Sequence, residues 1–212
     1  MKIHSYVFHY NRPRLLAQCV SDLSLIGSVK VVDDHSRIRP HNAIQPVKHC
    51  GRANFNCLWQ LAFDNARGIE ADWFIFAQDD FTQWNLPALK HAIDYCGKHR
   101  VLHYHRDHRE AVWNNFQPQQ LDETYRRIGW VDAHYAISKW MLSEVMNYTV
   151  PVVTQSWKKL GASSGVGKYT TEFFKLKGVE IIQPVKSICH HAGNGCSVMH
   201  PIERLNNPLK SI

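Results

Sequence analysis

Ala71-Asp72-Trp73-Phe74-Ile75-Phe76-Ala77-Gln78-Asp79-Asp80-Phe81 is the stretch whose reading decides the fold. Trp73 to Ala77 is an unbroken apolar run of aromatic and β-branched residues closed by alanine. Such a run predicts a strand covered on both faces, as in a parallel sheet; a half-exposed strand would alternate apolar and polar residues. The run ends abruptly in two carboxylates. In open α/β sheets the ligand crevice lies beyond the carboxyl ends of the strands, so Asp79 and Asp80 are expected where a ligand binds. Two adjacent hard oxygen donors beside a phosphate site suit Mg²⁺ or Mn²⁺, which keep several waters and bridge to phosphate. An acidic turn after a buried strand would leave the same residues, since Asp is common in turns.

The flanking sequence repeats the pattern. Lys2 to Tyr10 (KIHSYVFHY) reads as a first strand in a mostly apolar environment. Asn11-Arg12-Pro13-Arg14 breaks it, with Asn11 as expected N-cap and Pro13 in the first turn of a helix to about Leu25. Leu15, Leu16, Cys19, Val20 and Leu23 form its inner stripe, and Gly27 ends it. Val29-Lys30-Val31-Val32-Asp33-Asp34-His35-Ser36 is a second apolar strand, again closed by a carboxylate pair. A β-α-β unit whose second strand ends in acid is the arrangement that hydrogen-bonds a ribose or base edge in nucleotide folds. No GxGxxG follows the first strand, which argues against a dinucleotide on that helix. After an irregular segment, Asn54 to Arg67 and Leu86 to Cys96 read as helices. His99 to Arg109 (HRVLHYHRDHR) begins as a short strand and becomes a His/Arg cluster, expected as a solvated basic loop. Gly129 to Ser138 reads as a strand after which Ser138 caps a helix, Gly161 to Lys177 as loop and helix, and Val179 to Ile182 as a strand. Alternating strands and helices predict an α/β domain with a mainly parallel central sheet flanked by helices, in which the later strands need not be parallel.

The chain of 212 residues fits a single domain, 1–212, in which the first hundred residues carry the strand-end carboxylate pairs that suit a nucleotide. No apolar run approaches the length of a membrane span and the N-terminus lacks a signal-peptide core, so a cytoplasmic protein without membrane contact is expected. Cys19, Cys50, Cys57, Cys96, Cys189 and Cys196 are scattered without a CxxC pair, which predicts reduced thiols rather than a disulfide framework. A formal charge of +7 points to an anionic partner: nucleotide, nucleic acid or membrane surface.

Taken together the motifs resemble those of family 2-type glycosyltransferases of the GT-A (Rossmann-like) fold, over most of the chain. Tyr10-Asn11-Arg12-Pro13 resembles that family's first nucleotide-contacting turn. Val31-Val32-Asp33-Asp34-His35-Ser36 resembles its strand end, where an Asp contacts base or ribose. Gly51-Arg52-Ala53-Asn54 resembles, with some contraction, the region before its next helix, and Gln78-Asp79-Asp80 stands in the place of its DxD motif. The resemblance implies a nucleoside-diphosphate sugar as donor, a UDP-sugar first, contacted by Tyr10, Asn11, Arg12, Asp33, Asp34, Arg52, Asn54, Gln78 and Asp79. It implies a divalent Mn²⁺ or Mg²⁺ held directly by Asp80, acting as Lewis acid on the leaving diphosphate. Ser187 to Gly193 resembles the segment from which the fold supplies a C-terminal histidine, and His191 is preferred to His190 for the metal.

The departure is at the catalytic base. Where the family carries an acidic pair, this chain reads Ser163-Ser164-Gly165-Val166-Gly167-Lys168. Asp132, a lone carboxylate in an apolar strand, and Glu172 are the candidates for deprotonating an acceptor hydroxyl, with Asp132 preferred. Ala162 to Tyr169 imitates a P-loop but lacks its first Gly and its Ser/Thr, which excludes a nucleoside triphosphatase; Lys168 remains a candidate phosphate contact. For the acceptor, basic residues in two loops (Arg37, Arg39, His41, Lys48, Arg52; His103, His105, Arg106, His108, Arg109, Arg126, Arg127) suit an anionic molecule, as does the missing membrane signal. Trp113 and Phe116 lie among polar residues, fit to stack on a base or sugar or simply to pack a loop. A hydroxymethylated pyrimidine in double-stranded DNA, as for phage-type DNA-modifying glycosyltransferases, is the first expectation. A saccharide or protein acceptor is the second. A third reading makes Cys189, His190, His191, Cys196 and His200 a zinc site in a non-catalytic nucleic-acid-binding module.

Overall fold

The structure is a computed structural model that describes residues 1–51, 56–106, 118–131, 134–146 and 166–192. Its elements are β1 (Ile3–His9), α1 (Pro13–Ser24), β2 (Ser28–Asp33), α2 (Asn56–Ala66), β3 (Trp73–Gln78), β4 (Phe81–Thr82) and α3 (Leu86–Cys96). They continue with β5 (Val101–Leu102), β6 (Gln119–Gln120), β7 (Tyr125–Ile128), β8 (Tyr135–Ser138), α4 (Lys139–Met146), α5 (Val166–Leu176), β9 (Ile181–Pro184) and β10 (His190–His191). One sheet runs in the order β2-β1-β3-β8-β5-β9-β7-β6, and β10 pairs separately with β4. The β1–β2, β1–β3 and β5–β9 ladders are parallel, and β8 and β7 run against the rest. The mixed later half comes from β8, which lies antiparallel between β3 and β5, and from β7, antiparallel to β9 and β6.

The apolar run of β3 behaves as a strand covered on both faces. Phe74 and Phe76 pack with Trp59, Phe63, Tyr135 and Phe174 on one face, while Trp73, Ile75 and Ala77 pack with Leu16, Leu23, Leu89 and Ile93 on the other. That period of two places every side chain of Trp73 to Ala77 out of solvent. Among the described residues no helix is long and apolar enough to cross a membrane.

Several local expectations need correction. Arg12, not Asn11, occupies the N-cap position of α1. Asn11 instead has φ 54, a left-handed conformation that Asn tolerates, and its Oδ1 accepts from the Arg37 amide at 2.8 Å. Cys50 and Cys57 are not separate thiols: they form a disulfide with Cα atoms 6.4 Å apart, tying the loop after β2 to α2. Cys19, Cys96 and Cys189 are free and buried, as expected. His103, Tyr104 and His105 are buried rather than solvated, because β5 sits between β8 and β9 and the chain leaving it is covered. Arg126 is buried too, its Nε donating to Gln183 at 2.7 Å.

Candidate active site

Three strand ends converge. The Asp34 amide donates to the His9 carbonyl at 3.0 Å and the Asp79 amide to the Phe8 carbonyl at 3.0 Å, so the carboxyl ends of β1, β2 and β3 lie side by side. β1 stops there because Asn11 turns the chain at φ 54, its amide donating to Ser36 Oγ at 2.8 Å. The turn delivers Arg12 onto the end of β3.

Asp79 and Asp80 are both buried. The Arg12 guanidinium spans them, contacting Asp79 Oδ1 through one terminal nitrogen and donating to Asp80 Oδ2 through the other at 2.6 Å. His9 Nδ1 meets Asp79 Oδ2 at 2.6 Å. The antiparallel β4–β10 pair sets His191 opposite Phe81, with their rings stacked at 4.8 Å, and brings His191 Nε2 to 3.3 Å from Asp80 Oδ2. The Ala192 amide then donates to the Asp80 carbonyl at 2.8 Å, which fixes this C-terminal segment over the pair.

The carboxylates are unequal. Burial pushes Asp79 above the ordinary carboxylate range, against the pull of His9 and Arg12. Burial acts on Asp80 as well, but His191 and Arg12 outweigh it and hold the carboxyl down at about 2. Asp80 is thus a permanent anion, and its Oδ1 is buried without a hydrogen-bond partner. A buried charged oxygen left bare is costly, and a cation is what it suits. The donor set fits a phosphate-bridging Mn²⁺ or Mg²⁺, which takes one or two protein groups and completes its shell with phosphate oxygens and water. Among the described residues no group of three or more His, Cys, Asp or Glu converges as a metal-holding cluster; Asp80 and His191, 3.3 Å apart, are the described pair that would hold such an ion. The zinc alternative is not favoured. Among the described residues Cys189, His190 and His191 do not form a metal-holding group, and Cys196 and His200 lie outside the described residues.

Asp33 and Asp34 are buried with their oxygens already engaged. Asp33 accepts from the Ser36 amide at 3.1 Å, Ser36 Oγ at 2.5 Å and Gln45 Nε2 at 2.6 Å. Asp34 accepts from the Cys50 amide at 2.6 Å and the Gly51 amide at 2.8 Å. The pair therefore shapes the loop between β2 and α2. Tyr10, half-buried, lies with its ring 5.1 Å from that of His49, whose Nδ1 meets the Asp34 carbonyl at 2.8 Å. Gln78 is half-buried at the end of β3. Glu172 is on the exposed face of α5, whose Thr170, Thr171, Phe173 and Phe174 turn inward. Lys168 is in α5 with its side chain outside the description, and Arg52, Asn54 and Asp132 lie outside the described residues, as do Trp113 and Phe116.

Sequence reasoning missed His9 and the ring of His105, His134 and Phe81 beside His191. His9 was legible as a polar residue ending a buried strand next to two others that end in acid. The ring cluster, with Phe81 centred 5.2 Å from His105 and 4.8 Å from His134, joins segments far apart in sequence and carries no local signal.

No known protein family and no curated protein sequence matches this chain. Solved structures do. S. aureus TarS superposes with a TM-score of 0.60 at 14% identity, covering 89% of this chain and 36% of TarS. Mannose-1-phosphate geranyltransferase from Thermus thermophilus gives 0.57 at 11% identity, over 92% of this chain and 77% of that one. Glucosyl-3-phosphoglycerate synthase from Mycobacterium tuberculosis, solved with Mn²⁺ and UDP-glucose, gives 0.57 at 12% identity, over 97% and 74%. This chain spans little more than a third of TarS and about three quarters of the other two. At such identities the likeness is one of fold: the chain has the α/β, GT-A (Rossmann-like) architecture.

Proposed function

We propose that this chain, as a single domain, is a metal-dependent glycosyltransferase that moves a sugar from a nucleoside-diphosphate sugar, a UDP-sugar first, to an acceptor hydroxyl. The observation that carries the reading is Asp80: an ionised, buried carboxylate with one bare oxygen, beside His191 at the carboxyl end of β3. Mn²⁺ or Mg²⁺ held by these two residues would supply charge neutralisation for the leaving diphosphate. Arg12 brings a planar donor fork to the same place, matched to phosphate oxygens. Tyr10 and His49 offer an aromatic pair to the base on the loop that Asp33 and Asp34 hold. The acceptor base is Asp132 in this reading, since Glu172 is solvent-facing. Either would take the acceptor proton as the sugar–oxygen bond forms.

The test is donor binding across a nucleotide-sugar panel, with and without Mn²⁺, for the wild type and Asp80→Ala. Metal-dependent binding weakened at least about tenfold in the variant is expected, the range seen when support for a metal is removed. No donor binding under any metal would overturn the reading.

For the acceptor we propose a hydroxymethylated pyrimidine in double-stranded DNA. The formal charge of +7 and the exposed Arg37, Arg39, His41, Lys48, Arg106 and Arg127 support it. Such an enzyme reaches its base by flipping or through a groove. Turnover of modified DNA should fall steeply as salt rises, because phosphate contacts release counterions. Turnover on a saccharide or protein acceptor that ignores salt, with none on DNA, would replace it.

A further inference from the structure

We propose that Arg12 is a resident counter-cation of the carboxylate pair, so that a divalent ion binds only together with the diphosphate that draws Arg12 off Asp80. This rests on the reading of Asp80 and His191 as the metal-holding groups. Arg12 is not a loose surface side chain. It follows Asn11, whose φ of 54 and links to Ser36 and Arg37 fix the turn, and it precedes Pro13 at the start of α1. Its side chain is only 14% exposed and lies against both carboxylates.

An ion arriving alone would meet Asp80 Oδ2 already engaged by the Arg12 guanidinium and by His191, with only Oδ1 bare. Taking both oxygens would place a divalent charge beside a guanidinium in a site with little solvent to screen it. A diphosphate removes that conflict in two ways. It adds negative charge, and it accepts the N–H groups that Arg12 withdraws from Asp80.

Asp79 allows the exchange. His9 holds its Oδ2 at 2.6 Å, so the other Arg12 nitrogen keeps a fixed anchor on Oδ1 while the fork pivots. Asp79 is then a positioning residue for Arg12, and Asp80 is the carboxylate for the metal. Metal and diphosphate favour each other through Arg12, a coupling that must be reciprocal.

The experiment uses the full chain. Mn²⁺ alone is titrated by electron paramagnetic resonance, and the preformed manganese–pyrophosphate complex by calorimetry, for wild type, Arg12→Met and Arg12→Lys. Arg12→Met should bind Mn²⁺ alone about fivefold or more tighter than wild type and the pyrophosphate complex about fivefold or more weaker, an ordinary size for coupling between sites. Those opposite signs are what general damage to the site would not give. Arg12→Lys, which keeps the charge without the fork, should resemble wild type toward Mn²⁺ alone and fall between the two toward the complex. Arg12→Met that weakens both ligands, or leaves Mn²⁺ alone unchanged, overturns the proposal. Should Arg12→Met not fold, wild type and Arg12→Lys decide it: each should bind the complex at least about tenfold more tightly than the free ion, and equal affinities overturn it. Absence of Mn²⁺ binding in every form and with pyrophosphate would instead remove the metal reading of Asp80, and this proposal with it.

Discussion

His4 and Asp80 respond to acid in different pH windows. Burial in β1, with Lys30 nearby, lowers the His4 imidazole from 6.5 to about 4, and its Nδ1 meets Ser28 Oγ at 2.6 Å. Between those pH values the unfolded chain binds the proton more readily than the folded one. Stability is therefore complete above the upper value and declines as pH falls through the window. Asp80 has the same sign in a lower window: held at about 2, its contribution persists until pH drops below an unfolded carboxylate's ~3.9. The urea midpoint should accordingly fall between pH 7 and pH 5 in the wild type. His4→Asn, which can still meet Ser28, should flatten that fall, whereas Asp80→Asn should leave it in place. An unchanged slope in His4→Asn would assign the acid response elsewhere. His4 gives no sign of this in the sequence, where it stands as one of 14 histidines. Asp79 and Asp80 are legible because an apolar run ending in two acids is a local pattern; their unequal ionisation is not, because Arg12, His9 and His191 reach them from other elements.

Among the elements, α3 matched its reading from Leu86 to Cys96 because its cap is local: Asn85 Oδ1 accepts from the Ala88 amide at 3.1 Å. Asn85→Ala should cost about 1 kcal/mol in chemical denaturation. The connection of α1 to β2 depends on a feature no pattern reveals. A Cβ on Gly27 would stand 2.1 Å from the Ile3 carbonyl oxygen, a backbone atom of β1 that cannot turn aside. Gly27→Ala should thus destabilise by roughly 3 kcal/mol, the upper end for overpacking. Thr171 on α5 binds both backbone groups of Val131, accepting from the amide at 2.9 Å and donating to the carbonyl at 3.1 Å. Thr171→Val keeps the shape but strands those buried groups, at about 1–3 kcal/mol. Thermal melts of both variants would check these values. The two-residue strands β4 and β10 were not legible, since each is defined only by its partner about a hundred residues away in the chain.

At the scale of the molecule, Trp59 centres the aromatic core on one face of the sheet, its ring 4.6 Å from Phe8, 4.9 Å from Phe76 and 5.2 Å from Tyr135. Trp59→Ala should cost about 3–5 kcal/mol, a large share of the ~5–15 kcal/mol that holds a domain together. A urea midpoint unmoved by that change would mean that this face contributes little. The alternation of strands and helices made the architecture legible, while the antiparallel placement of β7 and β8 was not, because it is set by pairing across the sheet.

The β4–β10 pairing also imposes a timetable on synthesis. Arg12 leaves the ribosome before the carboxylates it neutralises, but His191 follows Asp80 only after more than a hundred further residues. At about 5–20 residues per second that interval is on the order of ten seconds. Throughout it the nascent chain carries a charged pair with Arg12 and His9 already at hand and its last neighbour still unmade. The carboxylate pair thus meets Arg12 and His9, translated ahead of it, before it meets His191, which arrives only when β10 pairs with β4.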